Sequence, residues 1–146
     1  MLFGSLLAGK ALATAGVGLV HAMAYPLGGM FGISHGLANA VLLPYVLQYN
    51  LIGAPEKYAQ VATIMGCDTK GLSLKEAARC MVETVFELNM EIGIPATLAD
   101  LNIPADQIPE MARIALTVTR PVENNPRKPT LDEVISVYQV AMNGWE

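Results

Sequence analysis

The sequence predicts an all-α fold, a helical bundle without strands. Three observations carry that reading. Apolar residues recur at helical spacing along almost the whole chain. Two capping-box signatures, Ser73 with Glu76 and Thr130 with Glu133, each open an amphipathic run. Apolar residues (53%) far outweigh charged ones (15%), which favours a packed core over disorder. A chain of 146 residues is expected to form a single all-helical domain, residues 1–146.

Taken in order, the first helix is expected from about Leu2 to Ala24, ended by Pro26, Gly28 and Gly29. Its glycines, Gly4, Gly9, Gly16 and Gly18, lower its propensity and permit close approach by a neighbouring backbone or ligand. A loop then leads to Ser34, which suits an N-cap for a second helix starting near His35, with a kink at Pro44. A third helix is expected from Pro55 to Met65, stopped by Gly66. The Ser73 box opens a fourth, with Leu74, Ala77, Ala78, Met81, Val85 and Leu88 on one face and Gly93 and Pro95 at its close. After a turn at 102–106, Pro109 suits the first turn of a fifth helix. Residues 120–129 read as a polar loop with three prolines. The Thr130 box opens a sixth helix, aligning Leu131, Val134, Ile135, Tyr138 and Met142.

The net charge of −4, without a basic run, argues against a nucleic-acid partner. No P-loop, no GxGxxG after a strand and no GxSxG elbow is present. Cys67 and Cys80 are not in a CxxC arrangement. Two cysteines could make one bridge, but they do not form a disulfide framework, so a reducing, cytoplasmic compartment is expected, with Cys80 packing as a small hydrophobe. No Asp, Glu, Lys or Arg lies between Ala11 and Pro55. That run invites a membrane reading, but Pro26 and the glycines interrupt it before the ~20 apolar residues a spanning helix needs. A helix buried on all sides explains it as well, and no membrane association is expected.

Both histidines, His21 and His35, lie inside this uncharged run. They are either satisfied core residues or ligands aimed at something held within the protein. They sit fourteen residues apart, on two elements separated by a Pro-Gly hinge, which can bring imidazoles together across a turn. Two histidines make half a site, because zinc or iron takes three or four protein ligands. Asp68, Asp100, Asp106 and Asp132 all lie in later segments, with nothing to aim them at the pair. Tyr25 is one turn after His21, either a packed tyrosine or a neighbour of a site there. Asn39 is one turn beyond His35 and is expected to hydrogen-bond backbone, the alternative being to orient a ligand.

The stretch from Gly18 to Asn50, GLVHAMAYPLGGMFGISHGLANAVLLPYVLQYN, resembles the signature of the iron-containing (group III) alcohol dehydrogenases, H-x-x-x-H-P-L-G followed by H-G-x-x-N-A-x-L-L-P. The resemblance continues through EKYAQVATIMG at 56–66, GIPATL at 93–98, residues 108–115 and Asn125-Pro126-Arg127. It implies the C-terminal helical domain of the dehydroquinate synthase-like fold, which in the family follows an N-terminal nucleotide-binding domain. It also implies a divalent metal, Fe²⁺ or Zn²⁺, held by one Asp and three His. Two of those His match His21 and His35. The metal polarises an alcohol oxygen, and hydride passes to NAD(P)⁺. An apolar substrate- and cofactor-proximal wall is expected around Met23, Tyr25, Leu27 and Phe31.

The departures from the pattern are specific. The upstream D-x-x-x-H ligands and the glycine-rich phosphate segment do not occur in this chain. Tyr25 stands where the signature has its second His, and Ser34 where it has a proline. The resemblance therefore implies a metal-binding C-terminal portion, inactive alone: either a truncated gene product or one half of a split enzyme, completed by a chain carrying the nucleotide-binding domain and acting on a small alcohol or aldehyde. The alternative is a non-catalytic, self-associating helical module derived from that family. Weaker alternatives are a symmetric dimer that gathers four imidazoles, and a small membrane-associated protein.

Overall fold

The computed structural model describes residues 1–144, which hold eight α-helices and three short 3₁₀ turns and no strand. The helices are α1 (Leu2–Ala15), α2 (Leu19–Phe31), α3 (His35–Asn50), α4 (Pro55–Ile64), α5 (Leu74–Glu91), α6 (Ile108–Thr117), α7 (Thr119–Glu123) and α8 (Leu131–Asn143). The main core gathers Leu19, Met23 and Leu27 of α2, Leu42 of α3, Met111 of α6 and Tyr138 of α8. A smaller core joins α4 to α5 through Tyr58, Ala62, Ala78 and Val82. The expected all-α fold is what the chain forms.

The first expected helix is two helices at 99° to one another. Residues 16–18 break it. Gly16 has a φ of 76° that an L side chain rarely adopts, and the Asn124 amide donates to the Ala15 and Val17 carbonyls at 2.7 and 3.1 Å. The close approach that the glycines permit is made by two asparagine side chains. A Cβ at Gly16 would meet Asn124 Nδ2 at 3.2 Å, and one at Gly18 would meet Asn125 Oδ1 at 3.2 Å.

Pro26, Gly28 and Gly29 do not end α2, which runs on to Phe31. A mid-helix proline costs about 3 kcal/mol or more through its lost N–H and its clash with the preceding turn. Here the Pro26 ring is buried in the core, and that packing offsets the cost. The stop is Gly32, in the left-handed region at φ 70°, where Gly32 N–H and Ile33 N–H return to Gly28 and Leu27 carbonyls. The polar loop expected at 120–129 begins with α7, whose Pro121 falls in the first turn, where no backbone donor is missed.

Both capping boxes form, with Ser73 and Thr130 each accepting from the backbone three residues on and Glu76 and Glu133 reaching back. Gly66, at φ 96°, closes α4 with Gly66 N–H on Thr63 O and Cys67 N–H on Ala62 O. On α5, Ala77, Ala78 and Met81 are buried, whereas Leu74 and Leu88 at the ends of the expected face are exposed. On α8, Val134 and Tyr138 are buried, and the Tyr138 hydroxyl donates to the Met23 carbonyl at 2.6 Å. Cys67 and Cys80 are both free thiols.

No single helix among the described residues is long and apolar enough to cross a membrane. The bent pair α1 and α2 passes such a test together by length and composition. Half of that pair is committed elsewhere: Leu19, Ala22, Met23, Ala24 and Leu27 of α2 are all buried within the domain.

Candidate metal centre

His21 lies in the first turn of α2 and His35 is the first residue of α3. These two helices pack on one another, and their imidazoles meet with ring centroids 5.3 Å apart, tilted by 54°. Tyr25, one turn after His21, has its ring centroid 6.0 Å from that of His35. The turn at residues 32–34, and not the Pro-Gly segment inside α2, therefore brings the two imidazoles together, with Tyr25 beside them.

What fixes His21 is the start of α2. Asn125 is buried, and its Oδ1 accepts from Leu19 N–H at 3.2 Å and from Asn50 Nδ2 at 2.9 Å. Its Nδ2 donates to Asn50 Oδ1 and to the Arg127 carbonyl, both at 2.7 Å, so every polar site of this buried amide is used. Arg127 continues the network. It donates to the Tyr49 carbonyl and to Glu133 at 2.8 Å each, and its guanidinium stacks 4.0 Å from the Tyr49 ring centroid. The helix that carries His21 is thus capped from a turn more than a hundred residues away. Sequence reading noted Asn125 only within a family motif. The signal available was an Asn-Asn pair before proline, side chains suited to capping backbone groups.

The two histidines differ in environment. His35 is exposed, while His21 is half-buried and its Nδ1 is a buried atom without a hydrogen-bond partner among the described residues. Burial first, and then the facing His35, hold the His21 imidazole below its ordinary pKa, in the neutral form that keeps a nitrogen lone pair free. Of the expected wall, Tyr25 is 45% exposed and Phe31 half-buried. Met23 and Leu27 have no exposed surface and belong to the main core, so they support the site from behind.

The geometry fits an ion held by both rings. A tetrahedral cation bound at about 2.1 Å by one nitrogen of each imidazole keeps the ring centroids roughly 5 Å apart. The donor set is incomplete, however. Among the described residues no group of three or more His, Cys, Asp or Glu is placed to hold a metal. Nor do the described residues fit a dinucleotide, because they contain no strand and hence no strand–turn–helix phosphate cradle.

The fold is that of the C-terminal helical domain of iron-type alcohol dehydrogenases. An alcohol dehydrogenase from Oenococcus oeni superposes with a TM-score of 0.89 at 40% identity, over 92% of this chain and 35% of that one. A 1,3-propanediol oxidoreductase superposes with a TM-score of 0.83 at 44% identity, over 86% of this chain and 32% of that one. The Fe-containing alcohol dehydrogenase family, C-terminal, matches residues 1–142, and the chain belongs to that family. Among curated relatives, lactaldehyde reductase of Escherichia coli is 42% identical over 97% of this chain and 37% of its own length. The 1,3-propanediol dehydrogenase of Citrobacter freundii is 45% identical over 97% of this chain and 36% of its own. The chain thus spans little more than a third of the length of the relatives it matches.

Proposed function

We propose that this chain supplies the metal-side wall of an alcohol or aldehyde oxidoreductase, with His21 and His35 as two of the metal ligands. The observation that carries the reading is the meeting of these two imidazoles 5.3 Å apart, at the positions the family signature makes ligands. They would hold Fe²⁺ or Zn²⁺ through one nitrogen each. A bound cation of this kind supplies Lewis-acid polarisation of the substrate oxygen. The chain's own residues supply the setting. Burial lowers the His21 pKa and so favours the neutral form, the one that ligates. The uncharged run excludes competing charges, and Phe31 offers an apolar wall. Tyr25, whose ring lies 6.0 Å from that of His35, brings a hydroxyl that can donate to a substrate oxygen where the signature has an imidazole.

The other two ligands and the NAD(P) site fall to sequence outside these residues, so the chain alone is expected to be inactive. A complementary chain carrying those parts is the expected partner. The names of the curated relatives, a lactaldehyde reductase and a 1,3-propanediol dehydrogenase, point to a small alcohol or aldehyde as substrate. The test is to mix this chain with a polypeptide covering the upstream two-thirds of lactaldehyde reductase and follow NAD(P)-linked turnover of lactaldehyde and 1,3-propanediol. Activity is expected only in the mixture, and it should vanish with His21→Ala or His35→Ala. An inactive mixture of two folded chains sinks the reading.

A second reading rests on α1. It buries none of its residues, and Leu2, Phe3, Leu6, Leu7 and Leu12 are all exposed. Apolar patches of this kind seldom stay uncovered on a monomer. As a non-catalytic assembly module, the free chain would self-associate through α1. Light scattering at ~50 µM, above a typical micromolar association constant, would then report an oligomer. A monodisperse monomer counts against it.

A further inference from the structure

Asn39 stands one turn after His35 on α3, and its Nδ2 donates to the His35 carbonyl at 2.8 Å. The same nitrogen is 3.2 Å from His35 Nε2 and 3.4 Å from Nδ1. These near-equal distances exclude an ordinary hydrogen bond to either ring nitrogen. Imidazole lone pairs lie in the ring plane and diverge. An in-plane atom equally near both nitrogens would sit on the Cε1 side and overlap that carbon. The amide nitrogen therefore lies over the face of the ring, where an N–H can be directed at the π cloud.

The consequence is chemical. A donor bound in the ring plane would occupy one nitrogen of His35 and fix its tautomer. A donor on the face holds the ring still and leaves the lone-pair nitrogen open at its edge. The amide cannot drift, because it is tied at the same time to the His35 carbonyl. Its other end, Oδ1, is buried without a hydrogen-bond partner among the described residues, as is His21 Nδ1. The two buried side-chain atoms that lack a partner among the described residues thus both belong to this group of side chains.

We propose that Asn39 is a positioning residue that clamps the His35 imidazole by its face and leaves the lone-pair nitrogen of that ring free for a ligand shared with His21. The clamp stands on the geometry alone, and its purpose rests on the ligand reading above. Nuclear magnetic resonance on the full chain, with labelled Asn and His, separates the two. The Asn39 side-chain protons are expected well upfield of those of the exposed Asn102, moving back in His35→Ala. Zinc, added alone as the probe, is expected to move the ring resonances of both histidines. Asn39→Leu keeps the size of the side chain, lacks the N–H and adds no charge or ligand atom, so it should weaken zinc binding roughly tenfold or more. A residue that only fills space predicts equal affinity in the Leu variant. An Asn39 amide at the ordinary position, or coupled through a hydrogen bond to one ring nitrogen, overturns the clamp without any variant. Zinc that moves neither histidine of the wild type, with the amide still upfield, overturns the ligand reading and the purpose assigned to Asn39.

Discussion

Helices α1 and α2 adjoin in sequence, are both apolar, and carry a single charge between them, Lys10. By periodicity they read as one helix. In the molecule they are opposites. Six residues of α2 are buried and none of α1. The contrast shows that apolar composition says a helix needs covering but does not say what covers it. For α2 the cover is written in the same chain, in α3, α6 and α8. For α1 the described residues provide no cover beyond the tether of its last turn by Asn124.

The contrast can be broken most directly by matched truncations. Leu19→Ala in α2 removes a fully buried side chain and should cost about 2–5 kcal/mol in urea unfolding. Leu6→Ala or Leu7→Ala in α1 should stay within about 0.5 kcal/mol, as for other exposed sites. Equal losses would mean that α1 is packed in solution and that the two helices do not differ.

A smaller effect sharpens the boundary between them. Asn125→Ala strands Leu19 N–H, the Asn50 amide and the Arg127 carbonyl in a buried setting. At about 1–3 kcal/mol for an unsatisfied buried group, a loss of roughly 3 kcal/mol is expected, along with a shift in the resonances of His21. Asn124→Ala should cost less and act on α1, which protease nicking near Gly16 would detect. If Asn125→Ala leaves His21 unmoved, the network does not set the α2 start.

The smallest effect is a pH dependence on the anchored side. Hydrogen bonds from the Thr130 backbone first, then from Tyr49 and Thr130 side chains and the Arg127 charge, hold the Glu133 carboxyl below its ordinary pKa. The folded state therefore favours the charged form. That contribution is full above the unfolded carboxyl value, near pH 4, and is lost as pH falls through the lower folded value. Wild type and Glu133→Gln should differ in stability at pH 7 and converge as the pH drops below ~4. A gap that stays constant across that range contradicts the assignment.

The legible parts of the sequence were those with local chemistry. Ser73 with Glu76 and Thr130 with Glu133 announce helix starts because both partners of each cap lie within four residues. The break at residues 16–18 and the passage of α2 through Pro26 were not legible, because both depend on distant groups: Asn124 and Asn125 for the first, the surrounding core for the second. The site divides the same way. His21, Tyr25 and His35 announce themselves as rare polar groups in an uncharged run, and the structure does bring them together. Met23 and Leu27 look alike in sequence to wall residues, yet helical rotation turns them into the core. The capping of α2 by Asn125 needs a long-range contact that no local pattern encodes.

The most direct test of the central claim, that His21 and His35 act as one ligand pair, is a zinc titration followed through the ring resonances of both histidines. The pairing predicts that both rings shift together with a single apparent Kd. In His21→Ala, zinc should bind His35 far more weakly. A His35 response that is the same with and without the His21 imidazole would contradict the pair, leaving two histidines that are neighbours and nothing more.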